Sequence, residues 1–336
     1  MRPSLRCLSC ILGFVLAFCI RAFALATGPV QPPTADPLTA TIHTEDAERF
    51  ARLFATANGK PSAEQLQKDY LDKGSYGVSV FTPYRIQNAA HLAEAVATDE
   101  PSYQHAIQDC LPRLPQYNAD LRAIYLAMHG LYPDKPLPQI YIVFGAGNSG
   151  GTAAPNAQVL GLEVICKTSG DTPDGLRTTL RRFFAHETVH TLQNDPTGAE
   201  ASPLLASVLT EGGADFVASV VTGATPEPQR AEWAAQREAE LWVQFQKDML
   251  ATQPQESKAS PKAAMEARHR WIENYDSAPP GWPYEVGYWV GIRIWQCYYE
   301  ATSDKHQAMR DVIEWNDPGL ILKKSGYDGG ACSKSR

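Results

Sequence analysis

The chain has 336 residues, 44% of them hydrophobic and 20% charged, with a formal net charge of −7. It is too apolar for a disordered protein and long enough to bury a sizeable core. It carries no basic patch or tail, so nucleic acid is not an expected partner.

Residues 1–26 read as an export signal. Arg2 and Arg6 give a basic start, residues 11–20 are almost wholly apolar, and Ala24-Leu25-Ala26 is a small-x-small cleavage site. Arg21 interrupts the apolar run before it can span a bilayer, and no membrane span is expected after cleavage. Cys19 follows Phe18, where a lipid-attachment site takes a small residue. Cleavage removes Arg2, Arg6 and Arg21 and no acid, so the charge moves from −7 to −10. An exported protein of that charge is expected to be soluble in the periplasm or outside the cell. Export also permits disulfides. Cys110, Cys166, Cys297 and Cys332 survive cleavage and allow three pairings. We expect Cys110 with Cys166 and Cys297 with Cys332, which would pin the N-terminal helices to the sheet and the tail to an aromatic helix. None of the four has the C-x-x-C spacing of a cysteine zinc site.

Residues 27–43 are rich in Pro, Thr and Ala and read as a flexible leader. A helical lobe is expected over 44–135. It opens with the stripe Ala47, Phe50, Leu53 and Phe54, continues in a short helix capped by Ser62, and adds helices over 84–98, 102–111 and 119–131. Residues 140–144 and 159–165 then read as two strands around the glycine-rich stretch 145–151, an antiparallel sheet over a cleft. That stretch is no phosphate cradle, because no G-K-[ST] follows it.

The zinc-site motif comes next. His186-Glu187-Thr188-Val189-His190 lies in a helical pattern over 176–194, with Asp174 ahead of it as N-cap and Pro196 beyond it. Residues four apart share a helix face, so both imidazoles can reach one ion. Glu187 stands beside them, where a general base to a metal-activated water belongs. By composition such a pentapeptide arises by chance in about one chain in a hundred, so context must carry it. Twenty residues on, a second helix is punctuated by Ser202 as N-cap, Pro203 at the first position and Gly223 at the end. It carries Glu211 as the third ligand and Asp215 one turn later as the carboxylate for a ligand's free ring N–H. Gly212 and Gly213 each cost about 1 kcal/mol in a helix relative to Ala. They imply a close backbone approach, expected to be to the first of the two helices.

H-E-x-x-H followed by E-x-x-x-D resembles the gluzincin metallopeptidases, the thermolysin-like clan. The resemblance implies His186, His190 and Glu211 as ligands of one zinc ion, Glu187 as catalytic base and Asp215 behind a ligand. Tyr70-Leu71-Asp72-Lys73-Gly74-Ser75, Gly161-Leu162-Glu163, His190 to Gln193, and Glu211 to Asp215 are similar to an uncharacterised bacterial branch of predicted zinc-dependent proteases. That branch includes relatives of a gliding-motility lipoprotein. In gluzincins an edge strand binds extended peptide, but the usual edge-strand motif is missing here.

A helical C-terminal lobe is expected over 224–336, with a long helix over 228–252, a polar linker over 253–260, and helices over 261–275, 284–301 and 304–314. The fold class is therefore α+β and mostly helical, a single unit over 44–336 whose small antiparallel sheet lies next to the two site helices. An oxyanion donor must come from the C-terminal half, with Tyr284, Tyr288, His269 and Arg293 as candidates. The expected activity is a zinc peptidase acting on a peptide or protein substrate. The alternatives are a zinc-containing envelope scaffold with little turnover and a hydrolase of a non-peptide amide.

Overall fold

A computed structural model describes residues 30–170, 172, 174–275, 277–330 and 332. The expected export signal lies outside them. Residues Gln31–Arg336 cluster as one unit, and one apolar core runs through it from Ala40 to Tyr327.

The sheet has four strands: β1 (Ile42–His43), β2 (Gln139–Val143), β3 (Gly151–Ala154) and β4 (Ala157–Gly161), in the order β1-β2-β4-β3. It is mixed, not antiparallel. β1 and β4 flank β2 in parallel, and only β3 runs antiparallel, to β4. The expectation failed because a further strand begins where the glycine-rich stretch ends, at Gly151. β3 turns through Asn156, which has φ +56°, into a hairpin with β4. β4 thereby re-enters the sheet beside β2 in the same direction as β2. The supposed flexible leader is also partly structural. Ala35 bridges Leu137, the Pro32 and Pro33 carbonyls accept from Asn156 and Gln139, and Ile42–His43 adds the parallel edge.

The helices that build the core and the site follow in chain order. α1 (Glu45–Thr56) buries Ala47, Phe50, Leu53 and Phe54, the predicted stripe. α2 (Asn118–Leu131) follows, then α3 (Leu162–Thr168), which takes over residues 162–165 from the predicted second strand. α4 (Gly175–Leu192) and α5 (Pro203–Thr222) carry the site. α6 (Pro228–Ala235) and α7 (Glu238–Ala251) replace the single long helix expected there, with a break at Gln236-Arg237. α8 (Val286–Ala301) is the aromatic helix. α5 is long and apolar enough to cross a membrane by composition, but two-thirds of its apolar stretch is buried in the protein.

The α5–α8 contact sets the geometry of the site. A Cβ on Gly212 would stand 2.4 Å from Gly291 Cα, and one on Gly291 would stand 2.0 Å from the Val208 carbonyl oxygen. The two helices therefore cross backbone to backbone. The close approach expected of Gly212 is real, but its partner is α8 and not α4. Gly213 faces Trp295 and Val312, with the Gln193 amide at the end of α4 slightly further away. Disulfides join Cys110 to Cys166 and Cys297 to Cys332, with Cα separations of 6.1 and 5.1 Å. They pin the N-terminal helices to α3 and the tail to α8.

The loop entering β3 is held from beneath. Tyr70 Oη accepts from the Phe144 N–H and donates to its carbonyl, both at 2.9 Å, and Tyr103 Oη donates to the Gly145 carbonyl. The buried Glu163 carboxylate accepts from the N–H groups of Gly145 and Gly147 at 3.1 Å. Burial pushes the Glu163 carboxyl up to about 7, against the backbone N–H groups that favour its charge. A carboxyl whose pKa rises on folding binds protons more tightly in the native state, so its contribution to stability falls as pH rises from about 4.5 to 7. The shift corresponds to about 3 kcal/mol. Glu163→Gln should abolish this part of the pH dependence. Urea unfolding of both proteins at the two ends of that range checks it, and parallel pH profiles would contradict it.

Candidate metal centre

α4 brings His186 and His190 onto one face, and α5 lays Glu211 across from them. His186 Nε2 and His190 Nε2 are 3.0 Å apart, and Glu211 Oε2 is 3.4 and 3.3 Å from them. Tetrahedral ligands at zinc bond lengths stand roughly 3.3–3.4 Å from one another. All three are largely buried, with only Glu211 and His190 partly open.

Hydrogen bonds behind the rings fix which atoms face inward. His186 Nδ1 meets Asp215 Oδ1 at 2.9 Å, and a carboxylate there requires an N–H on Nδ1. His190 Nδ1 meets Gln193 Oε1 at 2.8 Å, and the Gln193 amide is oriented by its Nε2 donating to the Thr210 carbonyl. In their neutral form both rings therefore present an Nε2 lone pair, and Glu211 adds a carboxylate oxygen. Three electron-pair donors converge with no donor among them, an arrangement that a cation relieves. The chemistry and the spacing both fit zinc. Gln193 was quoted in the sequence only for its resemblance, and its role follows from its place one turn beyond His190.

The carboxylates here favour positive charge, either a proton on a ring or a cation between the three residues. Burial works against charging either imidazole, yet Asp215 and Glu211 raise His186 to about 10, and Glu211 also raises His190. Burial likewise opposes the charge on Asp215, but His186, Arg182 and Arg230 hold it down to about 2. Glu211 is held well below the usual carboxylate range by the two histidines despite its burial. Asp215→Asn would lose the carboxylate behind His186 and should weaken zinc binding roughly ten- to a hundred-fold. Competition with a colorimetric chelator measures it, and unchanged affinity would remove Asp215 from this role.

Glu187 is 8% exposed, and its carboxylate accepts no hydrogen bond from another described residue. It stands against Gly151 at the start of β3, where a Cβ would come within 2.8 Å of Oε1. Any larger residue at 151 would push into the Glu187 carboxylate. β3 is the free edge of the sheet and pairs only with β4 among the described residues.

Of the four oxyanion candidates, the structure brings Tyr288 to the cluster. Its ring is parallel to that of His186, with an angle of 2° and centroids 6.0 Å apart. Burial raises its pKa well above the usual value, reinforced by Glu211, Glu285 and Asp215. Tyr284 lies one shell out, with the Arg230 guanidinium 6.0 Å from its ring. Arg293 does not reach the site. Five positions after Tyr288 it lies on another face of α8, bonded to Glu238, Gln296 and the Gly330 carbonyl. His269 is exposed and meets Ser277 Oγ at 3.1 Å. Arg230 was not found from the sequence, since no motif includes it. It is 4% exposed, donates to Asp215 Oδ2 at 3.0 Å and lies 5.2 Å over the Tyr288 ring. Its Nη1 has no hydrogen-bond partner among the described residues, with the Glu285 carboxylate 4.0 Å away.

Fold and site together define a mostly helical protein with a small mixed sheet and an inward-facing His/His/Glu cluster. The chain belongs to the family of gliding motility protein GldB, which it matches over residues 34–329. No curated protein and no solved structure matches it.

Proposed function

We propose that this exported, envelope-associated protein is a zinc-dependent peptidase of gluzincin type. The observation that carries this reading is the convergence of His186 Nε2, His190 Nε2 and Glu211 Oε2 at 3.0–3.4 Å, with the Glu187 carboxylate close enough to act on both rings. Zinc held there would lower the pKa of a bound water towards about 7 and polarise a carbonyl oxygen. Glu187 Oε takes the proton of the attacking water and returns it to the leaving nitrogen. The free edge of β3 pairs with an extended substrate backbone and aligns the scissile bond beside Glu187. The Tyr288 hydroxyl stays protonated and donates to the developing oxyanion.

The family name supports a second reading, an envelope scaffold in which the same cluster binds zinc without turnover. A hydrolase of a non-peptide amide uses the same residues. Digestion of a diverse peptide library by the purified, zinc-loaded mature protein, with a chelator control, separates them. Chelator-sensitive cleavage supports the peptidase. Zinc binding with no cleavage would overturn it in favour of the other two.

A further inference from the structure

A cavity of about 430 Å³ lies between α6, α7 and the turn ahead of α8. It shares no lining residue with the histidine cluster. One wall is a single face of α7 and its N-cap, where Arg237, Glu240, Leu241 and Gln244 recur at helical spacing. Leu241 is buried and forms the floor, while Glu240 is exposed at the rim. The other wall is aromatic. Trp233 of α6 and Trp282 meet with centroids 5.5 Å apart and planes at 51°. Trp282 is set by the Pro279-Pro280-Gly281 turn, in which its N–H donates to the Pro279 carbonyl at 2.9 Å and Gly281 takes φ +78°. Trp271 backs it edge-on at 5.3 Å. Both lining indoles are therefore anchored, and both remain half-exposed to the cavity.

The lining decides the chemistry of the ligand. A cation is disfavoured, because the Arg237 guanidinium already lies 4.6 Å over the Trp233 ring and brings positive charge with it. A wholly apolar ligand would strand the Arg237, Glu240 and Gln244 heads without water. Gln244 spends its Nε2 on Asp248, which leaves its Oε1 to accept. Arg237 spends one Nη1 hydrogen on the Trp233 carbonyl, which leaves its other N–H groups to donate. A carboxylate, an amide oxygen and guanidinium donors lining one cavity with two indoles match a pyranose ring. Its C–H face stacks on the indole, and its hydroxyls donate and accept in turn. The volume falls in the range of small-ligand sites, roughly 300–1,000 Å³. We infer that this cavity binds a neutral oligosaccharide, independently of the histidine cluster.

Calorimetric titration of the mature protein with cellotetraose, maltotetraose and the β-1,4 tetramer of N-acetylglucosamine tests this, with decaproline as the competing aromatic-groove ligand. At least one tetrasaccharide should bind with a dissociation constant of about 1 mM or below. Glu240→Ala, on an exposed helical position, should weaken that binding at least about five-fold, and Trp282→Ala should abolish it. Neither change should alter zinc content. Since Trp282 packs on Trp271, Trp282→Phe replaces it in the test if the alanine variant does not fold, with a weakening of the same order as Glu240→Ala expected. No binding of any tetrasaccharide at about 10 mM, binding indifferent to these substitutions, or binding of decaproline alone would each overturn the inference.

Discussion

Glu187→Gln is expected to keep about one zinc per chain and to lose roughly 10²–10⁴-fold in turnover. The substitution preserves size and polarity, and Glu187 is not one of the three converging donors, so metal binding has no reason to change. What is lost is an oxygen able to accept a proton. That carboxylate accepts no hydrogen bond from the described residues and abuts the β3 edge, so the substitution breaks none among them. A purely structural glutamate would instead show its loss in thermal stability. Steady-state hydrolysis and elemental analysis on the same preparation separate the two. Full activity with normal zinc would falsify the base assignment. A scaffold reading predicts that the variant retains all biological function, because binding needs no base.

Gly291→Ala is expected to be the most disruptive single methyl group in the chain. Its Cβ would meet the Val208 carbonyl oxygen at 2.0 Å and Gly212 Cα at 2.9 Å, and both obstacles are backbone. No rotamer relieves such contacts, so α5 and α8 must separate. Overpacking of this kind costs about 1–3 kcal/mol or more. The separation reaches the site, because Gly212 follows Glu211 and Tyr288 lies one turn before Gly291 on the opposing helix. Zinc affinity should therefore fall together with the unfolding midpoint. Gly130→Ala is the control. Nothing lies within 4 Å of its added Cβ, in the last turn of α2, and it should be neutral or stabilising by at most about 1 kcal/mol. Equal stability of the two alanine variants would show that the crossing tolerates separation.

How much of this was legible in the sequence depended on whether a feature was local. The two site helices, their ends at Pro203 and Gly223, and the facing of His186 and His190 follow from helical period and punctuation. The meeting of Asp215 with His186 follows from the same period. The sheet did not follow. The strand Gly151–Ala154 has four half-exposed small residues and no apolar alternation, so nothing local distinguishes it from loop. Without it, parallel pairing of β2 with β4 could not be anticipated. The helix break at Gln236-Arg237 has no Gly or Pro to mark it. Gly212 signalled a close approach, but its partner, Gly291, lies in another helix and only the tertiary fold selects it. Arg230 was invisible for the same reason, being fifteen residues from Asp215 and joined to it by a buried ion pair. Tyr70 and Glu163 belong to stretches singled out by resemblance alone. The structure gives both a physical task, holding the loop that delivers β3 to Glu187.

The central claim, that His186, His190 and Glu211 hold one metal ion, is tested most directly by elemental analysis of the mature protein purified without added metal. About one zinc per chain is expected, with a strong loss of zinc in Glu211→Ala, the fold retained, and its return on zinc addition only to the wild type. Wild-type protein that is folded and binds no zinc even after incubation with the ion would contradict it, as would a Glu211→Ala variant that binds zinc as tightly as the wild type.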